Sequence, residues 1–471
     1  MKHFFSIISA HIATHKSEVV LFSLALISRL VSFFFLVFRY GEATLWFSNE
    51  DALGYLNMAH NLSQGNGFMM DGIQTAIRTP LYPLFLSLFD VLHLPLLGIA
   101  IVQIVLFSVT VVVLYRLGLL LFNERVAIFG ALLLVFEPYL ITLPNLATTE
   151  TVFILLSVLA TYYLARAIFQ DTRVNFSIAL SGILWGLAVL TRPIALYMLP
   201  VVLITFFCGR LFLKQDQPKR IFIGAGLCAF LFIAILFPWS LRQKIVFDSW
   251  KISNIDTFML ITRVAPIAVA ERDSISYYDA LPVVMNKDLP NLISDFDPSL
   301  LEHTFAYEKP VQAYLSELYR DHWPAIAKTY VYSLTSTLFG TGYDYLLEEY
   351  GLSRHEERLG FTQLLLGRQY GLFIKKLLEP SLFQAVILFG ALVWFVFYVL
   401  IARALWLSRK TKDIAKLLFL LIIAGYFIFF SLGPSSHARY RVPAYPFLLL
   451  LAGYAIESVY RYARDRNIDS G

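Results

Sequence analysis

Apolar stretches of membrane-crossing length recur along the chain, separated by short polar breaks. A helix needs roughly 20 apolar residues to cross the hydrocarbon core of a bilayer. By that measure the pattern predicts spans at 19–39, 97–122, 126–143, 150–169, 176–191, 194–213, 221–240, 381–407, 414–432 and 443–460. The run from Pro80 to Pro95 is apolar too, but it is short and broken by prolines. It predicts a helix lying on the membrane or half inserted in it. Two long segments lack a span, 40–96 and 241–380. Inside the second, Pro324 to Gly340 sets apolar residues at helical spacing among Lys328, Thr329, Ser333, Thr335 and Ser336. That mixture predicts an amphipathic helix on or near the membrane. The chain divides into an N-terminal transmembrane module at 1–240 that carries the 40–96 loop, a loop region at 241–380, and C-terminal transmembrane helices at 381–471.

Composition strengthens this picture. The chain is 58% hydrophobic and 15% charged, against about 45–50% and about 25% for soluble domains. An all-α polytopic membrane protein is expected. The net charge of +5 is spread between spans rather than gathered on one face, so nucleic acid is not an expected partner. Cys208 and Cys228 both fall inside apolar spans and read as reduced packing residues. The first apolar run, Val19 to Phe38, is too long for the core of a cleavable signal.

Charge sets the expected orientation. With the N-terminus inside, the inner segments hold Lys2, Lys16, Arg125, Arg173, Arg210, Lys219, Arg220, Arg409, Lys410 and Arg461 among others, and the short outer loops only Arg192, Arg439 and Arg441. The positive-inside rule then puts both termini in the cytoplasm and both long loops outside.

This topology gathers ionisable groups at one membrane boundary. Glu50, Asp51 and Arg78 come from the first loop, and Thr148-Thr149-Glu150 opens the fourth span. Arg192 sits in a tight Thr-Arg-Pro turn, Arg242 follows Pro238-Trp239, and Arg439 and Arg441 precede the last span. Such groups at membrane depth are costly and usually face a cavity or a ligand. Carboxylates beside several arginines suit a site that binds a phosphate and activates a hydroxyl. A sugar on a lipid phosphate already carries a good leaving group. It needs a base for the acceptor hydroxyl, on the face opposite that group, and cations for the departing phosphate. Each residue also has a plainer reading. Asp51 can cap a helix, Glu150 can match a helix dipole, Arg192 can pair with Glu150 or Glu137, and Arg78 can snorkel. Arg29 lies mid-span and reads as a structural partner of Glu137. His437 reads as a loop histidine. No metal-ligand spacing stands out, although Asp51 and Glu150 can share a divalent cation if they meet.

In order along the chain, Asp51-x3-Tyr55-x3-Ala59-x2-Leu62-x2-Gly65-x-Gly67 and Arg78-x-Pro80-Leu-Tyr-Pro83 are followed by Thr149-Glu150 and by Gly186-Leu-Ala-Val-Leu-Thr-Arg192-Pro193. Pro238-Trp239-x2-Arg242 and Arg439-Tyr440-Arg441-x-Pro443-x2-Pro446 complete the set. Together they resemble bacterial GT-C glycosyltransferases, relatives of the protein O-mannosyltransferases and of the lipid A aminoarabinose transferase. The resemblance covers almost the whole chain and is weakest across 255–380. It implies a GT-C helical bundle in the bacterial cytoplasmic membrane, a polyprenyl-phosphate sugar donor, transfer on the outer face, and inversion at the sugar. It implies Asp51 as general base and Glu150 as the second-loop acid. It places Arg78, and Arg439 or Arg441, at the phosphate. Glu50, Tyr55 and Arg192 complete the expected substrate contacts. The protein mannosyltransferases follow their loop acid with another acid, whereas here Ala52 follows Asp51 and Glu50 precedes it. Besides the donor, the expected partners are membrane lipids; sugar and acceptor stay open.

Two other functions fit a polytopic chain. A lipid or solute transporter would need polar groups at mid-membrane and repeat-related broken helices. A glycan polymerase or ligase would keep its key acid and base in a late large loop.

Overall fold

The computed structural model describes residues 15–47, 50–170, 173–213, 217–352, 364, 369–378, 380–433 and 438–469. Among them, nine helices are long and apolar enough to cross a membrane, and a bent pair makes a tenth span. They follow the predicted order, from Lys16–Leu45 to Ala438–Tyr462. The bundle closes where side chains are smallest. A Cβ on Gly182 in the fifth span would lie 2.6 Å from the Cys228 carbonyl in the seventh. One on Gly453 in the last span would lie 2.6 Å from the Gly130 nitrogen in the third. Small residues let membrane helices approach at backbone distance.

The third span differs from its prediction as one helix over 126–143. It runs Glu124–Phe136, turns by 67° and resumes at Pro138. Pro138 cannot donate to the carbonyl four residues back, that of Leu134. Arg29 of the first span donates to Leu134 O at 3.3 Å and to Val135 O at 3.1 Å, and lies 4.1 Å over the Phe107 ring. Glu137 caps the resumed helix, accepting from Leu140 N at 2.9 Å. The costly mid-span arginine therefore caps carbonyls that the proline break exposes, rather than bonding Glu137.

The first loop folds as a helix (Glu50–Ser63), a hairpin and a second helix (Leu81–Val91). The hairpin pairs Met69 with Gln74 and Met70 with Ile73. Its turn residues Asp71 and Gly72 have φ of 52° and 80°, the left-handed conformation of a two-residue hairpin turn. The Asp-Gly pair signals this hairpin, which the apolar pattern alone does not predict. Leu81–Val91 buries Tyr82, Leu86 and Phe89 and exposes Leu84, Leu88 and Val91. Apolar on both faces, it suits the surface position predicted for it.

The second loop is helical and has a core of its own, built on Ile261, Val269, Val284, Leu301, Val311 and Leu315. Its longest helix, Glu308–Phe339, is interrupted at His322, whose backbone leaves the helical region at φ −121° and ψ 21°. Pro324 lies two residues beyond and removes a helical donor. The second half is the predicted amphipathic stretch, with Val331 and Leu334 exposed.

Candidate active site

Four stretches far apart in sequence bring their charges to one place. Asp51 lies in the first turn of the first-loop helix, and Arg78 stands just before the helix that Pro80 caps. Glu150 opens the fourth span, Arg192 ends the fifth, and Arg439 lies in the short turn Ala438–Arg441 that begins the last. Arg78 Nη2 donates to Asp51 Oδ1 at 2.5 Å, and Arg439 Nη1 to Asp51 Oδ2 at 2.8 Å. Arg439 Nε donates to Glu150 Oε1 at 2.5 Å, and Arg192 Nη1 pairs with the same oxygen at 2.7 Å. The order is Arg78, Asp51, Arg439, Glu150, Arg192, with Arg439 as the hinge.

Among the described side chains, three arginines face two carboxylates, an excess of one positive charge. Glu150 is fully buried, and an isolated carboxylate there would be costly; two guanidinium partners make it tolerable. Asp51 is more open, with about a third of its side chain exposed. Burial works against its charge, but Arg78 and Arg439 outweigh burial and hold its carboxyl below its ordinary range. Asp51 is therefore ionised at neutral pH. The arrangement can hold an anion on the surplus positive charge and accept a proton at Asp51.

Neighbouring groups fix these side chains. The Arg78 guanidinium lies 5.0 Å over the Tyr55 ring, which packs edge-on against Tyr82 at 5.2 Å. Tyr82 is fully buried and donates to Gln103 Oε1 at 2.9 Å. Gln103 in turn donates to the carbonyls of Pro144 and Leu146, ahead of Glu150. The backbone before Arg78 is held by the second loop. Ser253 Oγ donates to Ile77 O at 2.6 Å, and Asn254 N donates to Ala76 O at 3.2 Å. Sequence reasoning missed Tyr82, Gln103, Ser253 and Asn254 as site supports. Tyr82 lay within the Arg78-x-Pro-Leu-Tyr-Pro string, whereas Ser253 and Asn254 carry no local signal.

Arg242 performs a related task. It donates to Phe68 O at 3.3 Å, Thr75 O at 3.1 Å and Gln74 Oε1 at 2.5 Å, and so grips both sides of the hairpin. Charged hydrogen bonds contribute about 1.5–3 kcal/mol each, so Arg242→Ala should cost the hairpin at least about 2 kcal/mol. Amide exchange at residues 68–75 is then expected to accelerate about thirtyfold, with exchange in the spans unchanged. Equal protection in the variant would remove Arg242 as the clamp.

Other candidates are placed differently. Arg441 stands apart from the charged chain and is fully buried. It donates to Leu338 O, to Gly340 O at 2.7 Å and to the phenols of Tyr398 and Tyr445, each at 2.9 Å. Its guanidinium lies 4.0 Å over the Trp394 ring. It ties the last span to the end of the long loop helix. The Glu50 backbone opens the first-loop helix, but its side chain lies outside the described residues, as does His437. Among the described residues, no three His, Cys, Asp or Glu side chains group as metal ligands. Arg439 bridges the two acids considered for a shared cation.

The family described as dolichyl-phosphate-mannose-protein mannosyltransferase matches residues 78–239. No curated protein matches the chain. Among solved structures, the apo oligosaccharyltransferase of Archaeoglobus fulgidus aligns at a TM-score of 0.51 and 13% identity, over 95% of this chain and 52% of its own. The same enzyme in complex with Zn and sulfate aligns at 0.50 and 14%, over 94% and 50%. ArnT from Cupriavidus metallidurans bound to undecaprenyl phosphate aligns at 0.42 and 12%, over 93% and 77%. The chain thus spans about half the length of the Archaeoglobus enzyme, and at these identities the likeness is one of fold. Residues 78–239 thus carry a pattern similar to that mannosyltransferase family, and the chain has an all-α polytopic membrane fold like that of the Archaeoglobus enzyme along nearly its full length.

Proposed function

We propose that the protein is an inverting glycosyltransferase. It moves a sugar from a polyprenyl-phosphate carrier to an acceptor hydroxyl at the outer face of the bacterial cytoplasmic membrane. The observation that carries this reading is the chain Arg78–Asp51–Arg439–Glu150–Arg192, one ionised carboxylate between arginines at a membrane boundary. The match to a family named for a dolichyl-phosphate sugar donor supports the donor class.

The roles follow from the chemistry. The acceptor oxygen attacks the anomeric carbon, the bond to phosphate breaks, and the phosphate leaves with the electron pair. The acceptor proton passes to Asp51. Arg78 and Arg439 neutralise the departing phosphate, and Glu150 with Arg192 holds Arg439 in place. A phosphate that draws Arg78 or Arg439 away from Asp51 leaves the carboxylate facing the acceptor, on the side of the sugar opposite the phosphate. Donor binding therefore loosens the grip on Asp51 and raises its basicity as the substrate arrives.

The test is reconstitution in proteoliposomes with a polyprenyl-phosphate sugar and no nucleotide sugar. Transfer with inverted anomeric configuration, read by NMR of the product, is the expected result. Transfer only from a nucleotide sugar, or with retained configuration, would sink the reading. The pH profile gives a second check. The folded Asp51 carboxyl titrates below its ordinary value of 3.8. Its ion pairs therefore stabilise the fold fully above the unfolded value, and that contribution is lost as pH falls through the folded value. In the free enzyme, kcat/KM should stay level from neutral pH down to about pH 5 and fall only below that. An acid limb centred above about pH 6 would assign the base to another group.

A further inference from the structure

A groove of about 280 Å³ lies between the third, eighth and last spans. Its walls include Leu133 and Phe136 of the third span, Trp394 and Phe397 of the eighth, and Leu449 of the last. Glu137 and Tyr343 line it too, at the helix break. That end adjoins the charged chain. Tyr139, two residues on, packs against Gly342 and interacts electrostatically with Arg439 and Glu150.

Glu137 is the unusual wall residue. It is 6% exposed, and its Oε2 accepts from Leu140 N. Its Oε1 is buried and has no hydrogen-bond partner among the described residues. The cations nearby are engaged elsewhere: Arg29 on the Leu134 and Val135 carbonyls, Arg441 on carbonyls and phenols. A buried carboxylate oxygen without a donor is costly. A ligand hydroxyl that donates there supplies the missing hydrogen bond, whereas an ionised phosphate brought there offers only acceptors.

We propose that this groove binds a lipid chain whose head presents a hydroxyl to Glu137 Oε1, a ligand distinct from the phosphate-headed donor. The apolar walls take the chain, and the unpaired oxygen selects the head. Under the transferase reading, on which this part rests, the lipid is the acceptor or its anchoring part.

The test needs no turnover. The full chain is placed in phosphatidylcholine nanodiscs with a long-chain isoprenoid alcohol carrying a diazirine in its tail, or with the phosphate ester of the same alcohol. Cross-linked peptides are mapped by mass spectrometry. The alcohol should label peptides of the third and last spans at least about fivefold more than the phosphate, a preference of about 1 kcal/mol. Leu133→Trp, which fills the groove, should abolish that labelling. Glu137→Gln, whose amide can donate as well as accept, should bring the two probes to near parity. Labelling by the phosphate equal to that by the alcohol, or labelling indifferent to both substitutions, would overturn the proposal. The transferase reading would then still stand or fall on the proteoliposome assay. Conversely, a catalytically silent protein that shows the labelling pattern would keep the lipid site and lose the acceptor role.

Discussion

Asp51→Asn is expected to lower sugar transfer by about 10²–10⁴-fold, the range a positioned general base contributes. The substitution keeps an oxygen within reach of Arg78 or Arg439 but removes the basic lone pair and the charge that both arginines face. The loss should fall on kcat, because the proton moves only as the acceptor oxygen attacks, while KM for the lipid donor changes little or drops. A drop has a physical source, since Arg78 and Arg439 are no longer held by a carboxylate and become freer to take phosphate. Glu50→Gln is the companion, and it should cost no more than about tenfold if Glu50 is only a neighbour. Turnover near that of the native protein in Asp51→Asn, or the larger loss at Glu50, would move the base away from Asp51.

The second large effect belongs to Arg439, whose Nε serves Glu150 and whose Nη1 serves Asp51. Arg439→Ala leaves a fully buried carboxylate with Arg192 as its remaining cation. Breaking a buried pair by removing one partner costs about 3–5 kcal/mol. The variant should therefore unfold at lower denaturant or temperature in detergent as well as lose transfer. Arg439→Lys should not rescue it, because an ammonium is a point donor and cannot span two acids as a guanidinium fork does. The double variant Arg439→Ala with Glu150→Gln separates the two roles. Neutralising Glu150 removes the fully buried carboxylate, and Arg192, 18% exposed, loses its partner but keeps some contact with water; part of the stability should return, yet transfer should stay lost. Native-like unfolding of Arg439→Ala would contradict the bridging role. Recovered transfer in the double variant would contradict a role at the phosphate.

The legible parts of this protein are those written in local stretches. Twenty consecutive apolar residues cross a bilayer whatever surrounds them, so the spans could be counted without contacts. Charges at turns between spans must lie at a membrane boundary, which drew Asp51, Arg78, Glu150, Arg192 and Arg439 to one level before any fold was known. The Asp71-Gly72 turn was equally local, but a two-residue strand has no apolar run to advertise it.

What only the tertiary structure decided depends on groups distant in sequence. Arg29 looked like a buried cation in search of an acid. Besides Ala25 O and Ser28 Oγ on its own helix, its partners are carbonyls more than 100 residues away, left open where the third span breaks at Pro138. Arg439 and Arg441 were interchangeable in sequence, two arginines in one short string. Two residues along a helix is a rotation of about 200°. One therefore turns to Asp51 and Glu150, while the other turns to Leu338, Gly340 and the phenols of Tyr398 and Tyr445. The sequence determined that charge would gather at the rim, because hydrocarbon leaves it few other places. Helical phase and the packing of the second loop decided which charges meet.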